Sequence, residues 1–276
     1  MNAPRLSTNA RCILIFSAVV LTLTGLSAIP DIARSINGET PAPPGPTSLL
    51  WAIVPIAAVV AALKASPVLE LEEFRRWLTR RRISACWLTF AILGAALQPA
   101  LLATVVHLTN NLAVVPSAAE IGRGAGAAAP LIIAASVEEI GWRGFLLPTL
   151  QTRMSALAAS LLVGLLWMIW HLPLTLQGGP NSHVPLWWYP IITIAASVGY
   201  TAIYNATRGT VLVTAAIHGT LNIVTGPVVQ HLAATGQSTT AFYASAAVLY
   251  LIAAIALPIV LGPRNLARVP RQQLSV

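Results

Sequence analysis

The chain has 276 residues, of which 56% are apolar and only 9% charged, and its formal net charge is +8. A soluble globular domain is about 45–50% apolar and about 25% charged, so this composition excludes a water-soluble fold, and lipid must be the solvent for much of the chain. Two cysteines, Cys12 and Cys86, both in apolar runs, exclude a disulfide framework or thiolate metal cluster. No nucleic-acid partner is expected, because the basic residues sit at the ends of apolar segments and form no aromatic-basic reading surface.

A bilayer core about 30 Å thick takes about 20 apolar helical residues to cross. Taken in order, the sequence predicts eight such spans: Cys12–Ile29, Leu49–Ala65, Ser84–Val106, Gly126–Leu147, Met154–Leu176, Leu186–Asn205, Thr210–Gln230 and Ala241–Leu261. The connections carry helix breakers, as in Pro41-Ala42-Pro43-Pro44-Gly45-Pro46 and Gly178-Gly179-Pro180-Asn181. The first span exceeds the 7–15 residues of a signal-peptide core, so a retained helix is expected. Glu70–Arg82, with three acids followed by five arginines, reads as a helical extension or surface helix on the cytoplasmic face. The fold class is therefore all-α, a polytopic integral membrane bundle of about eight transmembrane helices. It divides into residues 1–117 with a basic loop, 118–232, and a last helix with a basic tail at 233–276, all one compact membrane domain.

Charge sets the orientation. Arg5 and Arg11 precede the first span; Lys64, Arg75, Arg76, Arg80, Arg81 and Arg82 lie between the second and third. Arg153, Arg208, Arg264, Arg268 and Arg271 follow the fourth, sixth and eighth spans. With eight crossings these 13 of the 16 basic residues share one side, leaving only Arg34 and Arg123 opposite and Arg143 within a span. The positive-inside rule then places both termini in the cytoplasm.

An ionisable residue inside a span costs at least about 2.5–3.5 kcal/mol at the helix centre, and persists where it pairs, faces the bundle interior or does chemistry. The fourth span carries Glu138-Glu139-Ile140-Gly141-Trp142-Arg143. Glu139 and Arg143, four apart, share a helical face and can neutralise each other. Glu138 is turned about 100° away and is the less paired carboxylate, free to exchange protons. Gly141 would let another helix or a substrate backbone approach closely. The fifth span carries Trp167-Met168-Ile169-Trp170-His171, and residue counting from the turn near Met154 puts His171 level with Glu138. The seventh adds His218 and Asn222, four apart on one face. A lone membrane histidine is usually a packing residue and a lone Glu–Arg pair a structural pin. Here three spans place polar groups at compatible depth, and that co-occurrence points to a site. His107, His183 and His231 lie in or near connections, Glu120 and Arg123 at interfaces, and none is assigned chemistry.

These residues form an EExxxR motif, an aromatic-xxx-His motif and an HxxxN motif on successive apolar segments. The ordered triple resembles the CAAX-prenyl-protease-and-bacteriocin-processing family of intramembrane proteases, which includes type II CAAX prenyl endopeptidases and lysostaphin-resistance-like membrane proteins. The resemblance covers roughly Ala127 to Gly226. Trp167 stands where phenylalanine is commoner, and residues before about Ala118 match nothing in the family. The resemblance implies peptide-bond hydrolysis within the membrane, with 118–232 as the catalytic core. Glu138 and His171 would activate water, His218 and Asn222 would stabilise the oxyanion, and Glu139 and Arg143 would support them. Two histidines and a glutamate also make a familiar zinc set with an open water position, so Glu138, His171 and His218 are candidate ligands to Zn2+. They come from separate helices, however, without the HExxH spacing; zinc is the favoured reading, and a metal-free glutamate mechanism is also compatible.

The implied partners are a peptide or membrane-protein substrate and the bilayer, in a bacterial plasma membrane where prenylated substrates are not expected; the sequence is silent on oligomeric state. Two readings compete. One is a catalytically silent scaffold or immunity-type protein of the same fold. The other is a small transporter relaying protons through Glu138 and His171, although no repeat with broken helices in corresponding halves is visible. Reporter fusions after Thr40, Arg82, Gly122, His183, Gly209 and Gln237 should read out, in, out, out, in, out. A non-cytoplasmic signal at Arg82 would overturn the topology.

Overall fold

In the computed structural model, residues 7–39, 46–66, 69–79, 83–110, 116–126, 128–176 and 184–276 are described. Arg5, Arg80–Arg82, His183, Pro41–Gly45 and the Gly178–Asn181 breaker lie outside them, as does the side chain of Arg123. Among the described residues every regular element is helical.

In chain order the helices are α1 (Thr8–Ile36), α2 (Pro46–Lys64), α3 (Leu71–Thr79), α4 (Ala85–Asn110), α5 (Ala118–Gly126) and α6 (Ala128–Glu139). A π-helical turn (Ile140–Leu146) continues α6 into α7 (Leu147–Leu150); α8 (Ala156–Leu176), α9 (Trp188–Ala206), α10 (Val211–Ala234) and α11 (Thr240–Leu261) follow. Each predicted span thus falls on a helix or on the α6–α7 rod. The count of eight crossings is a stricter matter. Among the described residues four helices qualify by length and apolar content, namely Thr8–Arg34, Ala85–Thr109, Val211–Ala234 and Thr240–Leu261. A fifth results if α5 and the Ala128–Leu150 rod, bent by 50° at their junction, form one span. In α2 and α8 the apolar stretches among the described residues run over Ile53–Lys64 and Ala156–Leu172. An integral helical membrane protein is what these helices make; eight complete crossings are not established by them.

Within the acid-then-arginine segment Leu71–Thr79 forms α3, whose polar face is exposed and whose Phe74 is buried against Phe145 of the π turn, ring centroids 5.9 Å apart. On its polar face Arg75 donates two hydrogen bonds to Glu72, at 2.7 and 2.8 Å, and this guanidinium holds the exposed Glu72 carboxyl below the usual carboxylate range. An aromatic chain continues inward. Phe16 of α1 packs on Trp142 and Phe145, and Trp142 meets Trp170 of α8.

The chain after α11 folds back across one end of the bundle. Gln151 and Asn205, both fully buried, exchange hydrogen bonds through their amides at 2.8 and 3.2 Å. Each also holds the tail, Gln151 donating to the carbonyl of Gln272 and Asn205 to that of Asn265. The Arg271 guanidinium donates to the Gln151 carbonyl, and Asn9 of α1 donates to Thr152 and accepts from the backbone of Val276. This knot gathers α1, the turn after α7, the end of α9 and residues 263–276, the segments that bear Arg11, Arg153, Arg208, Arg264, Arg268 and Arg271.

Gly141 sits where α2 crosses the π turn. A Cβ there would lie 2.5 Å from the Pro55 Cβ and 3.3 Å from its Cα, so the close approach foreseen for this glycine is made by another helix. At Gly144 the nearest atom to an added Cβ is the tip of Leu78, a flexible side chain, at 2.8 Å. Gly141→Ala should therefore cost about 1–3 kcal/mol through overpacking, and Gly144→Ala distinctly less. Equal melting temperatures for the two variants in detergent would contradict the Pro55 contact.

Candidate active site

The site is built around the π turn. Leu147 gives its backbone N–H to the carbonyl of Trp142, five residues back. Pro148 follows, with no N–H to give and a ring that would crowd the carbonyl four residues earlier in a regular α-helix. A widened turn is one way to relieve that crowding, and such turns occur often at functional sites. Gly141 to Leu146 are all buried.

Arg143 and Glu139 are fully buried and paired, Nη1 to Oε1 at 2.9 Å. The guanidinium lies between two aromatic faces, 4.7 Å from the ring centroids of both Trp167 and Tyr200, and Nη2 donates to Ser197 at 3.4 Å. Ser197 and Tyr200 come from α9, whose backbone approaches α8 closely at Gly164. A Cβ there would meet the Ile194 Cα at 2.8 Å. The same Glu139 oxygen accepts from Nδ1 of His218 at 3.2 Å. With Nδ1 as the donor, a neutral His218 keeps its Nε2 lone pair free. That nitrogen faces Oε2 of Glu138 at 3.9 Å, too long for a direct hydrogen bond.

His171 and Asn222 complete the set from α8 and α10. His171 donates from Nδ1 to the Trp167 carbonyl at 3.0 Å, which likewise leaves Nε2 open. Residue counting made His171 level with Glu138, but Trp167 is opposite Glu138, its indole N–H donating to Oε2 at 3.4 Å. The reason lies in the turn. Residues 151–155 belong to neither helix; Glu138 is 12 residues before the end of α7 and Trp167 is 11 after the start of α8. His171 is therefore one helical turn further along, with Trp167 between the two imidazoles at ring-centroid distances of 5.6 and 5.4 Å. His171, His218 and Asn222 open onto one cavity of about 200 Å³ between α4, α8, α9, α10 and α11.

Ser197, Tyr200 and the indole N–H of Trp167 are functional candidates that sequence reasoning did not single out. Ser197 and Tyr200 lie on an apolar helix without a charged residue to mark them. As for a metal, no group of three or more His, Cys, Asp or Glu side chains is arranged to hold one among the described residues. Glu138, His171 and His218 do not gather as such a set, since Trp167 stands between the two imidazoles. Of the residues given no chemistry, Glu120 forms a capping box with Ser117 and meets Nδ1 of His231 at 3.3 Å.

Residues 121–224 match the family described as type II CAAX prenyl endopeptidase Rce1-like. A stretch of 44 residues is 50% identical to the CAAX prenyl protease 2 of Methanococcus maripaludis, and this match covers 16% of the present chain and 16% of the relative.

Truncating Arg143 to alanine would leave Glu139 buried without its main partner, at a cost of about 3–5 kcal/mol. Arg143→Lys keeps the charge but loses the two ring faces and the planar fork, so an intermediate loss is expected. Replacing Glu139 and Arg143 together by glutamine and methionine should recover part of the stability lost in Arg143→Ala. Purely additive losses in thermal denaturation would count against the pairing.

Proposed function

We propose, from the match of residues 121–224 to the CAAX-protease family, that this chain is an intramembrane endopeptidase hydrolysing peptide bonds with water activated by Glu138. The observation that carries the proposal is the buried, bonded series Arg143–Glu139–His218, with Glu138 3.9 Å from His218 Nε2, standing beside the cavity onto which His171 and Asn222 open. In this reading Glu138 takes a proton from the attacking water while its oxygen adds to the scissile carbonyl carbon. His171, through its open Nε2, orients that water. His218, as an imidazolium that donates from Nδ1 to Glu139 and from Nε2 to the site, and Asn222 bind the oxyanion of the tetrahedral intermediate, where a donor in a dry site is worth more than in water. As the C–N bond breaks, Glu138 returns its proton to the leaving amine. Glu139 and Arg143 act through His218, fixing its ring. Residues 118–232 form the catalytic core, and both termini face the cytoplasm of a bacterial cell. The gathering at the knotted end of four segments that carry six arginines supports that orientation. No step runs through a metal, because the donor set does not fit one.

The substrate is a peptide or membrane-protein segment. Glu138→Gln should abolish cleavage by purified protein with folding nearly unchanged, and His171→Ala should act likewise. Asn222→Ala should lower the rate by roughly a hundred- to a thousandfold, the loss expected for one oxyanion donor. Full activity in Glu138→Gln would remove it as the base. Activity lost in chelator and restored by Zn2+ would overturn the metal-free mechanism. If wild type cleaved nothing in a broad peptide screen while the variants still complemented a deletion, a silent scaffold would be the better reading.

A further inference from the structure

The cavity has a second wall that the family-matched segment does not supply. Facing His171, His218 and Asn222 are residues of α4 and α11, both outside 121–224. Most of this wall is apolar, with Pro99, Leu102, Phe242 and Ala246 among its members, and among the described residues no Asp, Glu, Lys or Arg lines the cavity. Within it sits one polar pair. The Gln98 amide and the Tyr250 hydroxyl are hydrogen-bonded, with Nε2 to hydroxyl 2.7 Å and hydroxyl to Oε1 3.1 Å, and both side chains are half-buried at the cavity.

A glutamine has two N–H donors and a carbonyl that accepts twice. The two bonds to Tyr250 use one N–H and one acceptor site and leave one of each, which is the complement of a peptide unit. The cavity, about 200 Å³, is smaller than the roughly 300–1,000 Å³ typical of a small-molecule pocket. That space suits one large side chain and its main-chain unit. A charged side chain would lose its hydration without gaining a partner.

Resting on the protease reading above, we propose that α4 and α11 form the substrate-recognition wall. Gln98 and Tyr250 hold the main chain of an extended substrate segment, and the apolar walls take a bulky uncharged side chain of leucine or phenylalanine size.

The test separates binding from cleavage. Glu138→Gln protein in detergent is photolabelled with an alanine-leucine decapeptide bearing one benzoylphenylalanine, and unlabelled decapeptides compete. Peptides with Leu or Phe at the preferred position should compete about a hundredfold better than those with Asp or Lys. Adding Gln98→Leu and Tyr250→Phe should weaken competition about tenfold, the effect of a hydrogen bond or so. An ester replacing one peptide bond should weaken binding to the Gln98–Tyr250 protein but not to the double substitution. Ala246→Leu, which leaves that pair intact, should shift preference toward smaller side chains. Equal competition by Leu and Asp peptides would overturn the proposal. So would an ester effect that persists in the double substitution, which would make the pair a helix clamp only. Selective binding without cleavage by wild type would sink the protease reading and leave the wall standing. Cleavage without side-chain preference would do the reverse.

Discussion

A charge pair with no exposure to solvent stands at the centre of this bundle, and the neighbouring helices are arranged to make it tolerable. Glu139 and Arg143 would be costly in lipid singly; at 2.9 Å they neutralise each other, and α8, α9 and α10 supply the rest of their shell. Trp167 and Tyr200 cover the guanidinium, Ser197 takes one of its donors, and His218 takes the shared carboxylate oxygen. The partners come from three helices, α8, α9 and α10, so the pair fixes the mutual register of the helices that meet at it. The relation between Glu138 and the two imidazoles follows from that register.

Much of the helical layout was legible because lipid leaves few alternatives. A backbone in hydrocarbon must satisfy its own hydrogen bonds, so each long apolar run becomes a helix. The shared face of Glu139 and Arg143 was equally readable, since a spacing of four has one meaning on a helix. Depth was less so. Counting from Met154 ignored the residues spent in the 151–155 turn, and His171 stands a turn away from its expected level. Ser197, Tyr200, Gln98 and Tyr250 were hidden for another reason. On apolar helices an isolated polar residue gives no periodic signal, and its role exists only where two helices face each other.

Trp167 shows how a departure from a family pattern acquires meaning from structure. A phenylalanine there would still cover Arg143 and separate the two imidazoles. It would have no N–H to direct at Glu138, so the indole adds a hold on the carboxylate that is otherwise least constrained.

The amide knot at Gln151 and Asn205 bears on how this molecule can move. Separating α7, α9 and the tail at that end would strand several buried donors and acceptors at once, each costing about 1–3 kcal/mol. Sliding one helix past another would break the same bonds. Helices fastened at one end move most easily as levers, spreading where the fastening is absent. A long chain segment seeking the interior would thus find least resistance away from the knot, with the fastened end acting as fulcrum.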